Sequence, residues 1–148
     1  MNKRYFPETQ NIHPEAVLGD NNVFHSHIWV GKGVVIGDNC KVQAFAFIPD
    51  GVTLENNVFI GPHVCFTNDR HPHAQGEWQE SKTLVQEGAS VGANATIVAG
   101  VTIGKGATVG AGAVVTKDVP AGETWVGNPA SPITRSLKPV EVQKEVGC

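Results

Sequence analysis

A hydrophobic residue recurs every six positions along most of this chain: Ile12, Leu18, Phe24, Val30, Ile36, Val42, Ile48, Leu54, Ile60 and Phe66, then Val85, Val91, Ile97, Ile103, Val109 and Val115. Val, Ile, Leu and Phe make up about a quarter of the residues, so sixteen such positions in step are a repeat and not a by-product of composition. A period of six fits neither the 3.6-residue turn of a helix nor the alternation of a hairpin strand. Four residues after the beat stands a second small or branched apolar side chain, as at Ile28, Val34, Cys40, Ala46, Val52, Val58 and Val64, and only Asn22 breaks that register. Three residues after the beat stands, most often, Asn or Gly, as at Asn21, Gly33, Asn39, Gly51 and Asn57; these tolerate φ > 0.

A short strand that buries one large residue, turns at a left-handed corner and starts again describes one flat side of a parallel β-helix, and three sides close a coil. Residues eighteen apart then stack, so Ile12, Val30, Ile48 and Phe66 form one interior column, with coils about 4.8 Å apart. The sixteen hexads predict an all-β chain of a little over five coils, with one domain over residues 1–148. Two open ends and a thin core call for capping or oligomerisation. Residues 120–148 carry no hexads and are expected to form a C-terminal cap, with Trp125, Val126 and Ile133 over the last coil and a fraying polar end after Pro139.

The net charge of −3 and a pI near 6.0 give no electrostatic footprint for nucleic acid or an anionic membrane. No apolar run approaches a membrane span, and the first residues lack the pattern of a signal peptide, so a cytoplasmic location is expected. Cys40, Cys65 and Cys148 have unrelated spacings, which argues against a disulfide framework. His27 and His63 fall two coils apart on one edge, about 10 Å, too far to share a metal whose ligands lie about 2 Å away. No metal is expected within one chain.

The beat stops over residues 67–84. Phe66 to Val85 is nineteen residues, one more than a full coil, so the register is expected to be lost and recovered, with the face of re-entry left open. The segment is polar and holds Asn68, His71, Pro72, His73 and Gly76. A long polar excursion from a regular scaffold points to function.

The run Val64-Cys65-Phe66-Thr67-Asn68 with Pro72 and Ala74 after it, the block Gly51 to Pro62, and the run Val109 to Gly122 followed by Gly127-Asn128-Pro129-Ala130 resemble the hexapeptide-repeat acyltransferases. Over about residues 12 to 133 the chain is most similar to the branch that acetylates nucleotide-linked amino-deoxysugars in surface-polysaccharide precursor synthesis. The resemblance implies a left-handed helix, acetyl-CoA as cosubstrate, a nucleotide-sugar acceptor, and a homotrimer with active sites between subunits. It implies a catalytic role for Asn68 and substrate contacts from Gln43, Glu55 and His73. His71, before Pro72, stands where the related sugar O-acetyltransferases carry a catalytic His-Pro and the amino-sugar branch more often has Asn or Tyr, and is the second catalytic candidate. It places Ala93 and Ala111 along the pantetheine arm, with Thr116 and Lys117 toward the nucleotide end. That branch commonly carries Arg where His73 stands, and many family members have Arg where Ser131 stands here, with Arg135 four residues on.

An amine has a lone pair once neutral and needs only orienting, for which Asn68 suffices, whereas a hydroxyl must lose its proton and requires a base such as His71. His71 also reads as an exposed loop histidine, Asn68 as a turn former bonding its own backbone, and Glu55 and Gln43 as solvated residues. Amine acetylation is the leading expectation. The alternatives are sugar O-acetylation with His71 as base, a zinc hydratase on the same scaffold, and a non-catalytic β-helical module.

Overall fold

The computed structural model describes residues 1–133; Arg135, the polar end after Pro139 and Cys148 lie outside the described residues. The chain is an all-β parallel solenoid with three sheets as its faces. Face one stacks Lys3–Arg4, Val23–Phe24, Lys41–Val42, Phe59–Ile60, Ser90–Val91, Thr108–Val109 and Thr124–Gly127, and the antiparallel strand Ala130–Pro132 closes its end. Face two stacks Asn11–Ile12, Trp29–Val30, Phe47–Ile48, Cys65–Phe66, Thr96–Ile97 and Val114–Val115. Face three stacks Val17–Leu18, Val35–Ile36, Val52–Leu54, Thr83–Val85 and Thr102–Ile103.

The beat residues point inward as the period requires. Ile12 pairs with Val30 and Val30 with Ile48, and the column continues through Phe66, Ile97 and Val115, all buried from Val30 onward. Asn22, the one polar residue in the second register, is 1 % exposed. Its Nδ2 donates to Gly37 O at 2.9 Å and its Oδ1 accepts from Cys40 N at 2.7 Å, so burial leaves neither end of the amide unpaired.

The solenoid has about seven turns, not the little over five that the hexads indicate. The first addition is Lys3–Arg4, exposed residues that join face one beside Val23–Phe24 through backbone hydrogen bonds, with the neighbouring Asn2 side chain bonded to Gly19 O and Asn22 N. The second is Thr124–Gly127. Ile103 bridges Val119 and Val109 pairs with Trp125, in both cases sixteen residues on, so the last coil is two residues short. Backbone pairing continues there although the beat has ended.

The interruption also resolves. Leu54 pairs with Val85, Ile60 lies beside Val91 and Phe66 beside Ile97, each thirty-one residues apart instead of eighteen. Thirteen residues are therefore inserted at one corner. The chain leaves face two after Phe66 and re-enters on face three, the next face in order, so the register is kept throughout.

Most corners are left-handed, with φ of 56° at Asn21, 59° at Asn39 and 61° at Asn57. On the edge between faces one and two, His27, Phe45 and His63 take that conformation, which is uncommon for bulky residues. Their rings stack nearly parallel, His27 on Phe45 at 4.7 Å and Phe45 on His63 at 4.8 Å. The two histidines thus stand two coils apart with Phe45 between them.

Candidate active site

The inserted loop is clipped to the coils at its neck. Thr67, the first residue after the strand Cys65–Phe66, accepts Ala99 N on its Oγ1 at 2.9 Å, and Thr83, the first residue of the strand that returns to face three, accepts Gly100 N on its Oγ1 at 3.0 Å. Ser81 N donates to Asn68 O at 2.9 Å, and Thr83 N to Gly51 O at 3.0 Å. The neck is therefore held between the coil above, at Asp50 and Gly51, and the coil below, at Ala99 and Gly100. Asn68 Nδ2 donates to Asp50 O at 3.1 Å. A carbonyl partner demands the NH₂ end of the amide, so this bond fixes which way Asn68 points and leaves Oδ1 as an oriented acceptor.

Beyond the neck the loop folds back over face two. Phe47, Cys65 and Phe66 floor an open cleft of about 390 Å³; Asn68 sits at its hinge, and Asp69, Pro72, His73 and Trp78 form the wall. Asp69 Oδ1 accepts His71 N at 2.8 Å, the local bond that turns the chain. His73 has carbonyl oxygens at both ring nitrogens, His71 O at 2.8 Å from Nδ1 and Glu77 O at 3.1 Å from Nε2. The bond to His71 O, helped by that to Glu77 and by the charge of Asp69, raises the His73 pKa above the ordinary imidazole value, with slight burial opposing. Burial also pushes the Cys65 thiol upward, which keeps it protonated and weakly nucleophilic. Arg70 crosses to the lower coils, with Nη2 at 3.4 Å from Thr116 O.

The candidate residues fall on three edges of the prism. Asn68, His71 and His73 share the edge between faces two and three with Thr116 and Lys117, two coils farther on. Gln43, Ala93 and Ala111 lie on the edge between faces one and two, where Gly112 N donates to Ala93 O at 2.8 Å. Glu55 is alone on the third edge, and its Oε1 accepts Glu87 N at 3.0 Å as a link between successive coils. One chain by itself does not bring the three groups together. The His71 ring is exposed and makes no hydrogen bond among the described residues, and it does not line the cleft. Among the described residues no group of three or more His, Cys, Asp or Glu side chains is placed to hold a metal ion, and no helix is long and apolar enough to cross a membrane.

Reasoning from sequence missed Phe47, Trp78, Arg70 and the two neck threonines. The position of Phe47 next to a beat marked it as outward-facing, and Thr67 and Thr83 bracket the gap in the repeat; these were the available signals.

Residues 33–68 and 82–117 match the bacterial transferase hexapeptide family (six repeats), and the gap between the two blocks is the loop. The chain belongs to this family. It is 39 % identical over 136 residues to probable serine acetyltransferase 5 of Oryza sativa subsp. japonica, covering 92 % of this chain and 34 % of the relative. It is 31 % identical over 124 residues to the UDP-3-O-acylglucosamine N-acyltransferase of Caulobacter sp. (strain K31), covering 84 % of this chain and 27 % of the relative. Among solved structures, the acetyltransferase domain of PglB from Neisseria gonorrhoeae FA1090 in complex with acetyl coenzyme A is similar at TM-score 0.74 and 29 % identity, over 84 % of this chain and 55 % of that one. The chain spans about a third or less of the length of these two curated relatives.

Proposed function

We propose that this chain is an acetyl-CoA-dependent N-acetyltransferase acting on the amino group of a nucleotide-linked amino-deoxysugar, in the cytoplasm, in surface-polysaccharide precursor synthesis. The observation that carries the reading is the Asn68 amide, held by Asp50 O so that its oxygen is an oriented acceptor at the hinge of the cleft. An acceptor there takes an N–H from a neutral amine and leaves the lone pair aimed away from it. A nucleotide-sugar acceptor is supported by the UDP-linked relative, and the acyl donor by the PglB domain seen with acetyl coenzyme A.

When bound, acetyl-CoA supplies the acyl group as a thioester. The edge carrying Ala93 and Ala111 suits its slender arm, since at Gly112 an added Cβ would meet nothing within 4 Å and the backbone there is open to approach. Lys117 is exposed on the neighbouring edge as a point-charge partner for phosphate. These two edges flank face two of one chain. A site that uses both edges together with the loop is most simply assembled between chains, which is the argument for a homotrimer with intersubunit sites. The outward Trp29 and Phe47 on face two, 47 % and 41 % exposed with rings 6.2 Å apart, offer apolar surface for such packing.

The test is release of free thiol from acetyl-CoA with nucleotide-linked amino sugars, their hydroxy counterparts and L-serine as acceptors. Only the amino sugars are expected to react. Asn68→Ala is expected to lower kcat/KM about 10- to 100-fold, the scale of one or two oriented hydrogen bonds, while His71→Ala stays within about threefold. Preferential acetylation of serine or of a hydroxy sugar, with collapse on His71→Ala, would overturn the reading.

A further inference from the structure

Among the described residues, His73 is distinguished from the other five histidines by having a backbone carbonyl oxygen at each ring nitrogen, His71 O at Nδ1 and Glu77 O at Nε2. A neutral imidazole carries one N–H and meets the second carbonyl with a lone pair; only the imidazolium donates to both. Both bonds are local, joining the exposed His73 to residues two positions before and four positions after it in the loop. Gly76 adopts φ +102°, and a Cβ there would lie 3.4 Å from His73 Nε2, so the turn closes tightly about the side chain. The ring also lines the cleft whose hinge is Asn68, opposite Phe47 and Cys65.

We propose that His73 is a positioning residue that acts as a proton-dependent staple: as an imidazolium it ties the carbonyls of His71 and Glu77 together and keeps the loop folded over the Asn68 cleft, and when it loses a proton it releases one of them. The staple itself rests only on the loop geometry; its effect on acceptor binding rests on the reading of the cleft as the acetyl-acceptor site. The titratable and charged groups around it are few. On the loop they are Asp69, whose charge favours the imidazolium, together with Arg70, directed toward Thr116, and the exposed His71 and Glu77. From face two only the Cys65 thiol faces the cleft, and it stays neutral. The raised His73 pKa sets the sign. The staple is fully present below the ordinary imidazole value of about 6.5 and is lost as pH rises through the higher value of the closed loop.

Amide hydrogen exchange over residues 70–80 of the full chain, corrected for intrinsic chemistry, measures the loop without reference to activity. Protection is expected to fall about tenfold between roughly pH 6 and pH 8.5 while amides of the coils hold steady. His73→Arg, whose guanidinium keeps its donors throughout, is expected to hold protection flat at the high level; His73→Gln, with one donor group, is expected to be unprotected at every pH. In the acetyl-transfer assay, the ratio of acceptor KM between wild type and His73→Arg should rise with pH, since titration of the acceptor amine cancels in the ratio. Flat exchange in wild type, or the same pH dependence in His73→Arg, overturns the staple. If exchange behaves as expected but no nucleotide-linked amine is acetylated, the staple stands and the acceptor assignment fails.

Discussion

At the scale of single residues, what decides function here is which atoms the backbone has already claimed. Asn68 gives its NH₂ to Asp50 O and keeps its oxygen, whereas Glu55 spends a carboxylate oxygen on Glu87 N and His73 has both ring nitrogens against carbonyls. The three looked alike as polar candidates in the sequence. A side chain's hydrogen-bond partners depend on where the next coil's backbone lies, so only the folded chain distinguishes a presented group from a structural one. For the donor, Lys117→Ala is expected to weaken CoA binding by about 1 kcal/mol, the size of a partly exposed charge-assisted contact, and Ala111→Leu to block the arm by filling the edge. Titration calorimetry with CoA checks both; parent-like affinity in the two variants would move the donor to another edge.

At the scale of elements, the two-residue strands carry little stability individually and the loop is an insertion into a lattice that does not need it. Thirteen residues leave the prism at one corner, and the coils on either side stay in register, with Leu54 paired to Val85 and Phe66 beside Ile97. Replacing residues 70–80 with a short glycine-containing link is therefore expected to leave the β-sheet circular dichroism and the thermal transition close to those of the parent and to abolish acetyl transfer. A variant that fails to fold would show that the loop also holds the coils together. Nineteen residues between beats was legible as an interruption; that it means six plus thirteen was not, because the length of an excursion does not say which face receives the returning chain.

For the whole molecule, the three edges set the question of assembly. Ala111 and Asn68 lie on different edges of one chain, so variants damaged at each should complement when mixed if the site forms between chains. Co-expressed Ala111→Leu and Asn68→Ala chains are expected to sediment as a homotrimer-sized particle of about 47 kDa, three times the 15.7 kDa chain, and to regain a substantial part of the parent's activity, against almost none for either alone. A monomer, or a mixture no more active than its parts, would place the site within one chain. The six-residue beat by itself determined the three faces, the interior columns and the location of the loop, because in a solenoid each contact recurs at a fixed separation and a period in sequence is a period in space. It did not determine the first and last turns, where backbone pairing outruns the beat at Lys3–Arg4 and Thr124–Gly127. Nor did it determine the clipped neck, the aim of Asn68 or the ring of His73 between two carbonyls. Those belong to the tertiary structure alone, since an aperiodic loop finds its hydrogen-bond partners only where the periodic coils happen to leave backbone groups within reach.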